Sequence, residues 1–149
     1  MSSASASTQN QFTSLGGVIV PSTSNTVVSV PANTATLNVS LAQSGTTFLI
    51  PNPTGTSLTV NLPAVGVAAG CEYTFLSTVG PVKGTTIITP TTSVLQGIIR
   101  AAGSTIPCIN KATISNITGA VLPGDFCNVV CDGTNWYVNC QGQTGASWV

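Results

Sequence analysis

The side chains that could do chemistry in this sequence are few. They are five cysteines (Cys71, Cys108, Cys127, Cys131, Cys140), three carboxylates (Glu72, Asp125, Asp132) and three bases (Lys83, Arg100, Lys111), with no histidine. Without histidine there is no Ser-His or Cys-His couple, and nucleophilic catalysis loses its usual base. Glu72 and Asp125 are the pair that acid/base work on a glycosidic bond would require. Asp125 follows Pro123-Gly124, however, and reads more simply as a turn residue. Asp132 belongs to an Asp-Gly turn, and neither Gly16-Gly17 nor Gly142-Gln143-Thr144-Gly145 matches a nucleotide loop. The expectation is a protein that is not an enzyme and takes no cofactor.

The cysteines raise a metal or disulfide question. Zinc wants closely spaced pairs on turns, usually with histidine, so no metal site is expected. Cys127 and Cys131 lie four residues apart on one expected strand, about 13 Å, too far to bridge each other. The simplest reading makes all five small buried hydrophobes. Inter-subunit or intrachain disulfides formed after release from the cell are the alternative, with Cys71, Cys108 and Cys140 as members. Asn135 and Tyr137, beside Trp136, could stack and hydrogen-bond a sugar, although the hairpin pattern sends Trp136 into the core. The sequons at Asn38 and Asn116 are no more than chance supplies in a chain with eleven asparagines. The tail Ser147-Trp148-Val149 fits either a captured C-terminus or an apolar end packed on its own assembly.

The elements that would carry these residues are strands. Short β-branched runs recur between Gly, Pro, Asn and Ser: 18–20, 26–30, 36–41, 46–50, 58–62, 73–78, 85–89, 94–100, 113–117, 126–131 and 135–140. That spacing predicts an all-β fold, a β-sandwich with jelly-roll-like topology and little helix. Over 94–102 alone is a helical turn admissible. Leu37, Val39 and Leu41 share one strand face by alternation, as do Leu58, Val60 and Leu62. Eight prolines, Pro90 and Pro107 among them, are expected between strands. Asp132-Gly133 predicts a two-residue hairpin turn, placing Cys131 opposite Thr134, Val129 opposite Trp136 and Cys127 opposite Val138. The core face of that hairpin is then Cys127, Val129, Cys131, Trp136, Val138 and Cys140.

Composition sets the surroundings. The chain has 149 residues, 42% of them apolar but only 4% charged, and its net charge is zero. Three basic residues cannot neutralise a run of phosphates, so nucleic acid is not an expected partner. No apolar stretch is long enough for a membrane helix, and the N-terminus has no secretory pattern. Residues 1–14 read as a flexible Ser/Ala/Thr/Gln arm carrying Gln11 and Phe12, followed by one β domain over 15–149. Ser and Thr take over the solubilising role of charge, at a net charge where association is favoured. A subunit of a dense, permanent assembly fits that surface.

Four motifs occur in order: Leu62-Pro63-Ala64, Gly70-Cys71-Glu72-Tyr73-Thr74-Phe75, Thr86-Ile87-Ile88-Thr89-Pro90 and Asp132-Gly133-Thr134-Asn135-Trp136-Tyr137-Val138. The series resembles a β module of viral surface proteins, found in tail fibres, tailspikes and capsid-decorating proteins. The resemblance covers residues 58–140 and implies a trimer packed about a threefold axis. Five cysteines and a nearly free-standing module depart from phage examples. They are more similar to a minor capsid or cap protein of a large icosahedral DNA virus, assembled in host cytoplasm. The expectation is therefore a virion structural protein, a trimeric decoration or cement subunit that contacts other capsid proteins, with Gln11 and Phe12 in a docking arm. The rival expectation is a receptor- or glycan-binding fibre tip using Asn135 and Tyr137.

Overall fold

A computed structural model describes residues 26–51, 57–79, 86–90, 95–116, 120–145 and 148. The expected run at 18–20 and the arm with Gln11 and Phe12 lie outside them. The chain is nearly all β. In order the strands are β1 (Val27–Ser29), β2 (Thr36–Asn38), β3 (Thr46–Ile50), β4 (Leu58–Leu62), β5 (Glu72–Ser77) and β6 (Thr86–Pro90). They continue with β7 (Leu95–Ala101), β8 (Ser104–Lys111), β9 (Ile114–Ser115), β10 (Phe126–Cys131) and β11 (Trp136–Gly142). Single turns of 3-10 helix occupy Leu41–Gln43 and Val65–Val67.

Two sheets form. One has seven strands in the order β1-β3-β5-β10-β11-β7-β8, and the other has four in the order β2-β4-β6-β9. The all-β, two-sheet expectation is therefore met. The connectivity is not that of a jelly roll, whose strands pair antiparallel. Successive strands β1 to β6 alternate between the sheets, and within each sheet they pair parallel: β1 with β3 and β3 with β5, β2 with β4 and β4 with β6. The chain thus winds as a coil. The β10–β11 hairpin then inserts antiparallel to β5 and parallel to β7. By these pairings β1, β3, β5, β7 and β11 all run in one direction. Alternation in a sequence predicts which face a side chain takes but not the direction of the neighbouring strand, so it does not reveal the coil.

The core lies where inward side chains of both sheets meet. Phe48, Phe75, Tyr73, Trp136, Leu95 and Ile99 come from the larger sheet, and Leu58, Val60, Leu62, Ile88 and Ile114 from the smaller. Phe48 stacks on Phe75 at 5.5 Å, and Tyr73 meets Trp136 at 5.8 Å. Leu58, Val60 and Leu62 share the buried face as alternation predicts. Leu41 does not join Leu37 and Val39. The strand ends at Asn38, and the Ser40 amide donates to the Gln43 side chain at 2.9 Å, starting a 3-10 turn that leaves Leu41 exposed.

Other expectations need correction. The stretch 94–102 contains strand rather than a helical turn, with an irregularity between Leu95 and Gly97. Strand β8 was unexpected. It lies at the sheet edge, where Pro107 removes no ladder bond, so its proline sits within a strand. Pro90 ends β6, past the two residues that β9 covers. The hairpin loop has four residues, not two. The Asp132 side-chain oxygen Oδ1 accepts from the Thr134 and Asn135 amides, both at 2.7 Å. Register moves by two, pairing Cys131 with Trp136, Val129 with Val138 and Cys127 with Cys140. A two-residue shift preserves the faces, so all six expected core residues of the hairpin are buried.

Candidate interaction face

The outward surfaces of the two sheets differ in kind. On the small sheet, cross-strand rows run Thr36, Thr59, Ile87, Ser115 and Asn38, Asn61, Thr89. Asn61 donates to Asn38 at 2.8 Å, so this surface is mostly hydroxyl and amide. The large sheet carries aliphatic and aromatic side chains outward. One row places Leu49, Leu76 and Phe126 side by side on three adjacent strands, followed by Gln141 and Arg100. A second includes Val27, Thr74, Asn128, Asn139 and Ile98, and a third Glu72, Val130, Tyr137 and Gln96. Val27, Ile98, Val130 and Tyr137 are exposed, while Leu49, Leu76 and Phe126 are half-buried.

The charges in these rows are Glu72 and Arg100, and each is held by a neighbouring amide. Asn128 donates to the Glu72 carboxylate at 3.0 Å, and Arg100 donates to the Asn139 carbonyl oxygen at 2.7 Å. Both bonds lie along the sheet. Among the described residues each charge thus has one neutral hydrogen-bond partner and no counter-ion, so a covering surface would have to leave Glu72 and Arg100 at its wet rim.

The expected site residues separate. Tyr137 is 44% exposed on the outward face, whereas Asn135 is half-buried in the hairpin loop. The Asp132 carboxyl is held below the usual carboxylate range by the Asn135 and Thr134 amides and, to a smaller degree, by the Tyr137 hydroxyl. Trp136 is fully buried, and its indole N–H donates to the Pro63 carbonyl at 3.1 Å. Glu72 and Asp125 do not converge. They sit at opposite ends of the β5–β10 pair, about five residues or roughly 16 Å apart. Asp125 is buried and accepts from the Leu122 amide at 2.9 Å and the Gln143 amide at 2.9 Å, pinning the loop before β10 to the end of β11. Asn116 is buried, so the second sequon offers no surface for a glycan. Trp148 is buried within its own chain, while Ser147 and Val149 lie outside the described residues.

The cysteines divide. Cys127 and Cys140 form a disulfide across the β10–β11 pair, with Cα atoms 3.9 Å apart. The expectation of five buried thiols is corrected for these two, because the longer hairpin loop sets them opposite each other. Cys71, Cys108 and Cys131 are free and buried. Burial pushes the Cys108 thiol up, partly offset by Lys111. Burial raises the Cys131 thiol as well, while the Gly133 amide pulls the other way. Among the described residues no group of three or more His, Cys, Asp or Glu side chains is placed to hold a metal, and no helix is long and apolar enough to cross a membrane. An open cavity of about 300 Å³ lies at the β7–β8 turn, lined by Arg100, Ala101, Ala102, Ser104, Gln141 and Gln143.

Compared with protein-family models, no family matches this chain, and comparison with curated proteins likewise gives no match. What the fold defines is an all-β protein of two sheets with one polar and one partly apolar outer surface.

Proposed function

We propose that this protein is a virion structural subunit, a small decoration or cement protein that acts as a homotrimer on a capsid surface. The observation that carries the reading is the outward face of the seven-stranded sheet. Seven strands at about 4.8 Å spacing and some five residues of length give roughly 30 Å by 17 Å, on the order of 500 Å². Covering this face with an equal area of partner surface would bury about 1,000 Å² in total, the lower range of specific interfaces. The face has aliphatic rows, amide ladders and only two charges, the composition of a protein contact rather than of an enzyme cleft. With 4% charged residues and a net charge of zero, little charge repulsion opposes association, which also favours assembly. The resemblance of the four motifs to viral surface modules supplies the biological setting, with other capsid proteins as partners and the virion as destination.

Light scattering of the purified protein, with and without reductant, tests the assembly. A stable species near three times 15.0 kDa is expected in both, and Val130→Lys or Ile98→Lys should shift it to monomer without unfolding it. A monomeric wild type would overturn the trimer. The rival reading, a glycan-binding fibre tip, draws on the exposed Tyr137 ring beside the Asp132 carboxylate. It requires glycan-array binding that Tyr137→Ala and Asn135→Ala abolish, whereas a cement subunit binds no glycan and loses particle incorporation when residues 1–14 are deleted.

A further inference from the structure

Cys71 and Cys131 meet in the structure although sixty positions separate them in sequence. Glu72 pairs with Val130 across β5 and β10, so the next cross-strand position sets Cys71 opposite Cys131. Backbone hydrogen bonds extend the ladder there: the Cys131 amide donates to the Cys71 carbonyl at 2.9 Å, and the Gly70 amide to the Cys131 carbonyl at 2.8 Å. Two residues, Gly70 and Cys71, thus face one. Gly70 has φ 81°, the conformation of a glycine β-bulge that ends a strand pair in a tight turn. The turn is closed by the Cys71 amide donating to the Ala68 carbonyl at 2.8 Å.

Glu72 and Val130 point outward, so Cys71 and Cys131 point inward together, and both are buried. The Cys131 amide and carbonyl are both bonded to this two-residue bulge, so the two cysteine backbones are adjacent, and Cys71 lies near enough to push the Cys131 thiol up further. The Cys131 sulfur also accepts from the Gly133 amide at 3.4 Å, which fixes it beside the hairpin loop.

We propose that Cys71 and Cys131 are a redox-modification site, a dithiol that closes into a second cross-strand disulfide when the protein meets a low-molecular-mass disulfide of the glutathione class. Cys71, 9% exposed against 2% for Cys131, is the entry point. Its thiolate attacks the small disulfide, forms a mixed disulfide and releases one small thiol. The Cys131 sulfur, giving its proton to solvent, then attacks the Cys71 sulfur and releases the second small thiol. Two protein S–H bonds are lost, one S–S bond forms, and the oxidant is reduced to two thiols. The new bond would tie β5 to β10, as Cys127–Cys140 ties β10 to β11. Three adjacent strands of the large sheet would then be covalently joined. Cys108, on the edge strand β8 with its thiol donating to the Leu95 carbonyl at 3.6 Å, is the internal control.

Trypsin can read the outcome, because Lys83, Arg100 and Lys111 separate the cysteines into fragments 1–83, 101–111 and 112–149. Wild-type protein is treated with oxidised glutathione, alkylated under denaturing conditions and digested without reductant. The expected result is a covalent link between fragments 1–83 and 112–149, free Cys108 in fragment 101–111, and a fall from three alkylated thiols to one. Cys131→Ser should abolish the link and leave glutathione on Cys71, excluding exchange of Cys71 with the Cys127–Cys140 bond. The oxidised wild type should also melt roughly 10 °C higher than the form with both thiols reduced. Three persistent thiols, glutathione stalled on Cys71 in wild type, or a link that survives Cys131→Ser would each overturn the proposal.

Discussion

Cys140 sits directly across from Cys127 because the β10–β11 loop contains four residues, and the two sulfurs are bonded over a separation of thirteen positions. A loop of that length constrains the unfolded chain by about 3 kcal/mol on a chain-entropy account. The double variant Cys127→Ala/Cys140→Ala should therefore melt roughly 6 to 12 °C lower than the oxidised wild type. Scanning calorimetry of both proteins, with and without reductant, checks this. The variant's melting temperature should be insensitive to reductant once Cys71 and Cys131 are reduced throughout, and an unchanged temperature on removing the pair would contradict the account.

Gly97 is required by close approach rather than by a turn. It has φ 130° and lies against β11, where an added Cβ would run into the Val138 carbonyl oxygen. The atoms it would meet are all Val138 backbone, which cannot move cheaply. Gly97→Ala should cost on the order of 3 kcal/mol, combining clash with an unfavourable φ. Gly66, with open space around it, provides the comparison: Gly66→Ala should stay within about 0.5 kcal/mol of wild type. Urea denaturation of the two variants separates these outcomes.

Ala102 is in the opposite position, a residue with a Cβ where glycine or asparagine fits better. With Gly103 it forms the two-residue turn between β7 and β8, and both have positive φ, 45° and 82°. Such turns favour Asn-Gly. Ala102→Asn should stabilise the protein by about 0.5 to 1 kcal/mol, since the left-handed conformation penalises alanine by about that much or more. A lower urea midpoint in the variant would show that the turn is shaped by packing instead.

How much of this was legible in the sequence depends on what each signal encodes. Alternation in Leu58–Leu62 and Phe126–Cys131 places side chains on faces, and those faces are as read. Alternation does not encode partner direction, so the parallel coil of β1 to β6 stayed hidden. Strand β8 was concealed by Pro107, which its edge position tolerates. By itself the Asp132-Gly133 pair reads as a complete turn. Two further amides bonded to the Asp132 side chain lengthen it, and that lengthening alone creates the Cys127–Cys140 pair. The outward face needed long-range pairing: Leu49, Leu76 and Phe126 are scattered in sequence and adjacent only through register. The cysteines at 71 and 131 are neighbours for the same reason.

Asp132 also gives the hairpin a pH dependence of defined sign. Its carboxyl titrates below the ordinary carboxylate value in the folded protein, because the Asn135 and Thr134 amides donate to the ionised form. A folded-state value lowered in this way contributes stability above the unfolded value of about 3.9, and the contribution fades as pH falls through the folded one. Melting temperature should therefore decline more steeply below about pH 4 in wild type than in Asp132→Asn, whose amide oxygen still accepts the same two bonds but carries no charge. Asp132→Ala removes the acceptor itself and should melt lower at neutral pH, with the loss read first as faster amide exchange at Thr134 and Asn135. Parallel acid limbs for wild type and Asp132→Asn would mean that the turn is held by backbone geometry and not by the charge.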